Sequence, residues 1–379
     1  MTAPEAERRG RLGELARLFG RLGVVGFGGP AAHIAMMHDE VVTRRRWLSD
    51  GAFVDLIGVT NLIPGPNSTE MTMHVGRVRA GWRGLIVAGA SFILPAAAIV
   101  LACAVAYVRY GQTPNGQALL YGVKPVVLAI IGQALVKLGR TALAGRLQWV
   151  VGVAAVVAYV LRGNEIAILL VGALVVLAWR TVGPATGPTG VVALLLATEQ
   201  SGSLGLGRVL AVFLKIGAVL YGSGYVLLAF LRSDLVVRLD VLTNQQLLDA
   251  VAIGQFTPGP LFTTATFIGY LIAGVPGAVV ATVGIFLPAF CFVAAIGPYV
   301  ERLRLRTWTA ALLDGVNAAA VGLMAGVLLE LTGDALVDPL TVVLALVTAL
   351  LLWRTSLNSA WLVLGGAAIG IAVAASGLI

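Results

Sequence analysis

The sequence predicts an all-α, polytopic transmembrane helical bundle with two inverted repeats and broken, half-membrane helices. Three observations carry that expectation. Of 379 residues, 59% are hydrophobic and only 12% charged, a balance far from that of a soluble domain. The stretches 84–108 and 277–300 contain no Asp, Glu, Lys or Arg, and about 20 such residues cross a hydrocarbon core. The third is a long-range repeat of glycine and proline motifs at a constant offset. Alternating strand patterns are absent, and irregular backbone facing lipid would leave N–H and C=O groups unsatisfied, so helices rather than a barrel must span.

The chain opens with Arg8, Arg9, Arg11, Arg17 and Arg21, which run into the first apolar stretch without a small-residue cleavage pattern. This start is expected to stay uncleaved and cytoplasmic. A net charge of +8 would suit nucleic acid, but the basic residues form short clusters between apolar segments, as cytoplasmic loops do. The bilayer is therefore the expected partner, and nucleic acid is not. Cys103 and Cys291 stand alone in apolar helices, His33, His38 and His74 form no zinc motif, and no phosphate-binding loop occurs. No cofactor, metal or catalytic residue is expected, and the chain does not read as an enzyme.

Arg21 and the eight residues after it align with Lys215 and its successors, an offset of 194 that also pairs Asp55 with Asp249 and Pro64-Gly65-Pro66 with Pro258-Gly259-Pro260. After one deletion the offset is 193, and Leu94-Pro95-Ala96 meets Leu287-Pro288-Ala289. One register over so long a stretch marks a duplication. It divides the chain into an N-terminal repeat over 1–180, a linker over 181–207 and a C-terminal repeat over 208–379. Loop charge reverses between the halves: Arg77, Arg79 and Arg83 face a neutral 270–276; Arg302, Arg304 and Arg306 face a stretch with only Arg109; and Lys137, Arg140 and Arg146 face Glu330, Asp334 and Asp338. Because Lys and Arg favour the cytoplasmic side, the halves read as inverted. Inversion needs an odd number of crossings before the second half. The linker offers only the short apolar run 191–197, so either it crosses or a segment of the first half is re-entrant; roughly 10 to 13 crossings fit the apolar segments.

Each half breaks an early apolar segment twice, at Gly26-Phe27-Gly28-Gly29-Pro30 and Pro64-Gly65-Pro66, then at 220–224 and Pro258-Gly259-Pro260. Proline removes a donor and clashes with the preceding turn, and glycine relaxes the backbone. Helices broken at membrane depth are tolerated where protein or a watery cavity receives their ends, which is where transporters place substrate. Asn67, Ser68, Thr69 and Glu70 follow the first Pro-Gly-Pro, with Thr263 and Thr264 at the matching place, and read as N-cap residues of new half-helices. Such ends suit anions, and two of them suit a small dianion. The expected anion site comprises Gly28, Gly29, Pro64, Gly65, Pro66, Asn67, Ser68 and Thr69 of one half and Gly222, Ser223, Pro258, Gly259, Pro260, Thr263 and Thr264 of the other. Full cations or retained water are needed against desolvation, and Arg21, Lys215 and additionally Lys124 are the candidate cations. Two readings stand side by side, because glycine breaks also let helices pack closely and basic side chains also snorkel to the interface. His33, Glu40, Asp55, Glu70 and Asp249 are candidates for proton coupling, with a surface or capping role as the plainer alternative.

The motif Gly26-Phe27-Gly28-Gly29-Pro30, with His33, Glu40, Arg46-Trp47-Leu48, Phe53, Asp55, Pro64-Gly65-Pro66, Gly76 and Phe92-x-Leu94-Pro95, resembles the chromate ion transporter family. Leu242-Thr243-x-x-Gln246-x-x-Asp249, Pro258-Gly259-Pro260 and Phe286-Leu287-Pro288 extend the resemblance to its long-chain, two-domain form. The resemblance implies export of chromate from the cytoplasm across a bacterial inner membrane, driven by an electrochemical gradient and giving chromate resistance. Sulfate, similar in shape and charge, is the alternative cargo, and a homodimer is compatible with it. In the second half Ser223-Gly224 replaces Gly29-Pro30 and Leu261-Phe262 replaces Asn67-Ser68, which favours the first half as the more polar side of the site.

Overall fold

A computed structural model describes residues 3–61, 63–182, 205–221, 224, 226–296, 307–355 and 357–377. Among them every regular element is helical: α1 (Ala3–Val25), α2 (Gly29–His38), α3 (Asp50–Thr60), α4 (Asn67–Tyr110), α5 (Pro114–Ala142), α6 (Arg146–Val160) and α7 (Glu165–Val182), then α8 (Leu206–Val219), α9 (Leu227–Leu231), α10 (Asn244–Phe256), α11 (Thr264–Ile296), α12 (Thr307–Ala335), α13 (Pro339–Arg354) and α14 (Ser359–Ala375). Four are long and apolar enough to cross a membrane: Asn67–Tyr110, Pro114–Ala142, Leu261–Ala295 and Trp308–Ala335. The protein is a multi-pass helical membrane bundle. Residues 183–204 of the linker, the end of the apolar stretch 277–300, and Arg302, Arg304 and Arg306 lie outside the described residues.

The duplication is visible residue by residue. α3 and α10 start at Asp50 and Asn244, capped by Ser49 and Thr243 hydroxyls. Both follow a π-helical segment, Asp39–Arg44 or Arg232–Arg238, and a residue at positive φ, Arg46 (53°) or Asp240 (48°). α5 and α12 match end for end at the offset of 193.

α4 and α11 each fold back on themselves, α4 within the stretch 77–83 whose arginines mark a loop. Ala80 and Gly81 leave the helix at φ/ψ of −146°/24° and 61°/−148°, and Ala273 and Gly274 repeat this at −145°/30° and 60°/−152°. The second position lies at positive φ, which costs glycine little. A short arm, 67–79, then runs back along a long arm, 82–110. A side chain on Gly76 would strike Gly84 and Ala88, so small residues are required along this seam. In the second half the Thr266 and Thr282 hydroxyls meet at 2.7 Å across the equivalent seam.

Long helices equivalent in the two halves pack antiparallel. Arg77, near the turn of α4, donates to the carbonyls of Val293 (2.8 Å) and Ala294 (3.0 Å) far along α11. At the other end the rings of Tyr107 and Phe267 meet at 5.1 Å. The halves also exchange partners: α5 packs on α13 and α14, and α12 on α6 and α7.

Candidate functional site

The breaks of both halves converge at mid-height of the long arms. The middle of α1 lies beside the turn of α4, where Glu14 pairs with Arg79 at 3.0 Å. It runs inward until Gly23 abuts the backbone of Phe92, and α2 then returns until Trp47 lies under the Arg79 guanidinium at 5.0 Å. α3 and the short arm of α4 form a second hairpin with Pro64-Gly65-Pro66 at its tip. Gly259, at the equivalent tip of the second half, abuts Ala96, fourteen residues from either end of the arm 82–110, or roughly 21 Å at 1.5 Å per residue. The tips interlock across the halves. The Gly259 N–H donates to the Gly26 carbonyl at 2.8 Å, and the Tyr221 hydroxyl donates to the Asn61 carbonyl.

Between the tips lies a cavity of about 540 Å³, lined by Pro66, Asn67 and Ser68 of one half, Pro260, Leu261 and Phe262 of the other, and Asn317. That volume suits a small ligand with part of its water. The half-helices begin earlier than the cap reading supposes, by one residue in the first half and three in the second. Their N-cap residues are Pro66 and Pro260, in extended conformation and without a side-chain cap. A proline ring has no acceptor, so the first N–H groups of both half-helices are left uncapped where they border the cavity. Thr263 and Thr264, expected as caps, instead turn their hydroxyls onto the carbonyls of Pro260 (2.8 Å) and Leu261 (2.7 Å). Ser68 and Thr69 are buried, and Asn67 donates to the Asn61 side chain at 2.9 Å. Gly28 and Gly29 both sit at positive φ in the first break. Gly222 and Ser223 lie outside the described residues.

The cations are placed differently. Neither Arg21 nor Lys215 is among the residues lining this cavity. Arg21 is 65% exposed and lies 3.8 Å from Glu40, whereas Lys215 pairs with the buried Asp234 at 2.6 Å. These pairs are equivalent under the repeat, and each acid is met by a further arginine, Arg44 at 3.2 Å or Arg238 at 3.3 Å. Glu40 also pairs with Arg45 at 3.1 Å. The duplicated clusters tie α1 and α8 to the π-helical segments. Asp234 was findable in the sequence, since it stands 194 residues after Glu40. Lys215→Gln is therefore expected to lower stability by about 1–2 kcal/mol, because Asp234 keeps Arg238 and the lysine is partly solvated. Thermal unfolding of the purified variant, with oxyanion affinity measured beside it, checks this: a weakened affinity at unchanged stability would place Lys215 on the anion instead.

Of the titratable candidates, His33 donates through Nε2 to the Gly26 carbonyl at 2.9 Å and packs edge-on against Phe92. Asp55 is exposed. Glu70 is wholly buried in the first turn of α4, and neither carboxyl oxygen has a hydrogen-bond partner among the described residues; one turn on, buried His74 has an unpartnered Nε2. Asp249 accepts from the Tyr107 hydroxyl at 2.8 Å and lies 3.7 Å from Lys124, at a second cavity. The sequence reading passed over Tyr107, Asn61, Tyr221 and Asn317. Of these only Asn317 left a signal, as the repeat equivalent of Lys124.

A sequence profile described as Chromate transporter matches residues 13–178 and 207–371. A protein of Cupriavidus metallidurans named Chromate transport protein is 34% identical over 371 residues, covering 95% of this chain and 92% of its own. One of the same name from Pseudomonas aeruginosa is 33% identical, covering 91% and 88%. A Probable chromate transport protein of Synechococcus elongatus is 32% identical, covering 90% of each. No solved structure matches the chain.

Proposed function

This chain belongs to the chromate transporter family, and from that premise we propose that it is a secondary transporter exporting chromate across a bacterial inner membrane, so conferring chromate resistance. The observation that carries the reading is the pair of uncapped half-helix starts, one from each half, facing one cavity midway along apolar arms. Each such end presents about half a positive charge, and backbone donors there hold oxyanions without a titrating group. An inside-negative potential favours outward movement of a dianion by about 5 kcal/mol per 100 mV, twice the value for one charge. That gradient supports export without nucleotide hydrolysis. Everted membrane vesicles expressing the protein are expected to take up chromate saturably when energised, with sulfate competing less well. Tighter competition by sulfate would make sulfate the cargo, and no saturable oxyanion flux would remove the transporter reading.

We also infer that the halves, 1–180 and 208–379, insert with opposite orientations. The antiparallel packing of α4 on α11 and the reversed loop charge support it. In a background without Cys103 and Cys291, single cysteines at positions 79 and 304 are expected to resist an impermeant thiol reagent in intact cells. Labelling of either from outside would rule out the arrangement.

A further inference from the structure

The second cavity, of about 460 Å³, lies at the opposite end of α5 and α12 from the first and is lined by Tyr107, Tyr121, Lys124, Gln246, Asp249 and Asp334 among others. Part of its wall is the repeat equivalent of the first cavity's wall: Tyr121 and Lys124 stand where Asp314 and Asn317 stand in the other. The fold therefore repeats part of the central cavity's wall toward the far end of the same helices, and in the described lining only this second cavity offers a lysine.

Lys124 is held loosely. Its Nζ lies 3.7 Å from Asp249 Oδ1, beyond the 2.7–2.9 Å typical of a charge-assisted hydrogen bond, while Asp249 Oδ2 takes the Tyr107 hydroxyl at 2.8 Å. Tyr107 and Lys124 belong to the first half and Asp249 to the second, on α10, the helix that leads to Pro258-Gly259-Pro260. Asp334 faces the same space and is occupied by the Asn244 amide at 2.9 Å. Tyr121 donates to Asp338 at 2.5 Å. The charged groups at this cavity are one lysine, set against a buried carboxylate, and two further acids, so attraction for an anion there is weak.

Resting on the transport reading above, we propose that this cavity is a second oxyanion site, used for release. Lys124 receives the anion there, and Asp249 holds Lys124 while the site is empty. An arriving oxyanion displaces the carboxylate from the ammonium and so loosens α10 at the contact between the halves.

The test uses the full-length protein, with chromate as the probe. Asp249→Asn removes the competing charge and is expected to tighten binding at this site by about tenfold, giving a second saturable event in chromate titrations. It should also slow turnover, because release is delayed. Lys124→Gln is expected to lower maximal flux without moving the half-saturation measured from the loading side, and Lys124→Arg to restore much of it. Wild-type flux and titration in both Asp249→Asn and Lys124→Gln would overturn this proposal alone. Loss of oxyanion flux from the wild type would overturn the transport reading, and this site with it.

Discussion

Replacing Gly259 with valine is expected to reduce chromate flux by more than tenfold while the protein still reaches the membrane. Gly259 lies at φ 94°, and a side chain there would strike Ala96 of the opposite half. A β-branched residue in that conformation costs roughly 1–3 kcal/mol in backbone strain, and overpacking adds about 1–3 kcal/mol. The energy falls on the hairpin tip that presents the half-helix start at Pro260 and donates to Gly26 at 2.8 Å. Gly65→Val, at φ 143°, meets Glu70 and stands 3.3 Å from Ala289, so it should be comparably harmful. Gly333→Val is the control, because nothing lies within 4 Å of its added carbon. Flux is read against membrane abundance for each variant. If Gly259→Val transported as well as Gly333→Val, the close approach of backbone at the two tips would not be needed for transport.

The parts of this fold that the sequence revealed are those set by the backbone of single residues. Pro64-Gly65-Pro66 must end a helix wherever it occurs, and its recurrence at 258–260 exposed the duplication without any knowledge of packing. The turn of α4 at Ala80 and Gly81 falls inside the stretch 77–83, which its three arginines mark as a loop, whereas the equivalent turn of α11 lies in an uncharged stretch and leaves no such mark. The number of crossings stayed open in the sequence because nothing in it shows that 67–79 returns along its own helix. Ion-pair partners were hidden for another reason. Arg21 and Lys215 precede glycine breaks by the same spacing, which suggested a shared ligand, yet what they share is an acid nineteen residues on, brought back by a hairpin that local propensity does not encode. The cavity could be placed at the half-helix starts because polar residues beside a break have few other uses. Its wall from α12, Asn317 included, comes from contacts between the halves that no local pattern foretells.

Glu70→Gln is expected to flatten the pH dependence of chromate affinity. Glu70 sits in the first turn of the half-helix whose first residues line the central cavity, fully buried and without a hydrogen-bond partner among the described residues. A carboxylate so placed is far from neutral toward a dianion. At an effective dielectric constant of about 20, one charge and a dianion about 10 Å apart repel by roughly 3 kcal/mol. Protonation of Glu70 would remove that repulsion, so affinity in the wild type should fall as pH rises. The glutamine keeps the shape and lacks the charge, so its affinity should stay at the low-pH value throughout. Binding is compared above neutral pH, where chromate itself remains a dianion and only the protein titrates. The repeat equivalent of Glu70 is Thr264, whose hydroxyl is already engaged by Leu261, so the second half offers no substitute carboxylate at this position. A wild-type pH profile in Glu70→Gln would remove Glu70 from coupling and leave His33 or Asp249 as the group that carries the proton.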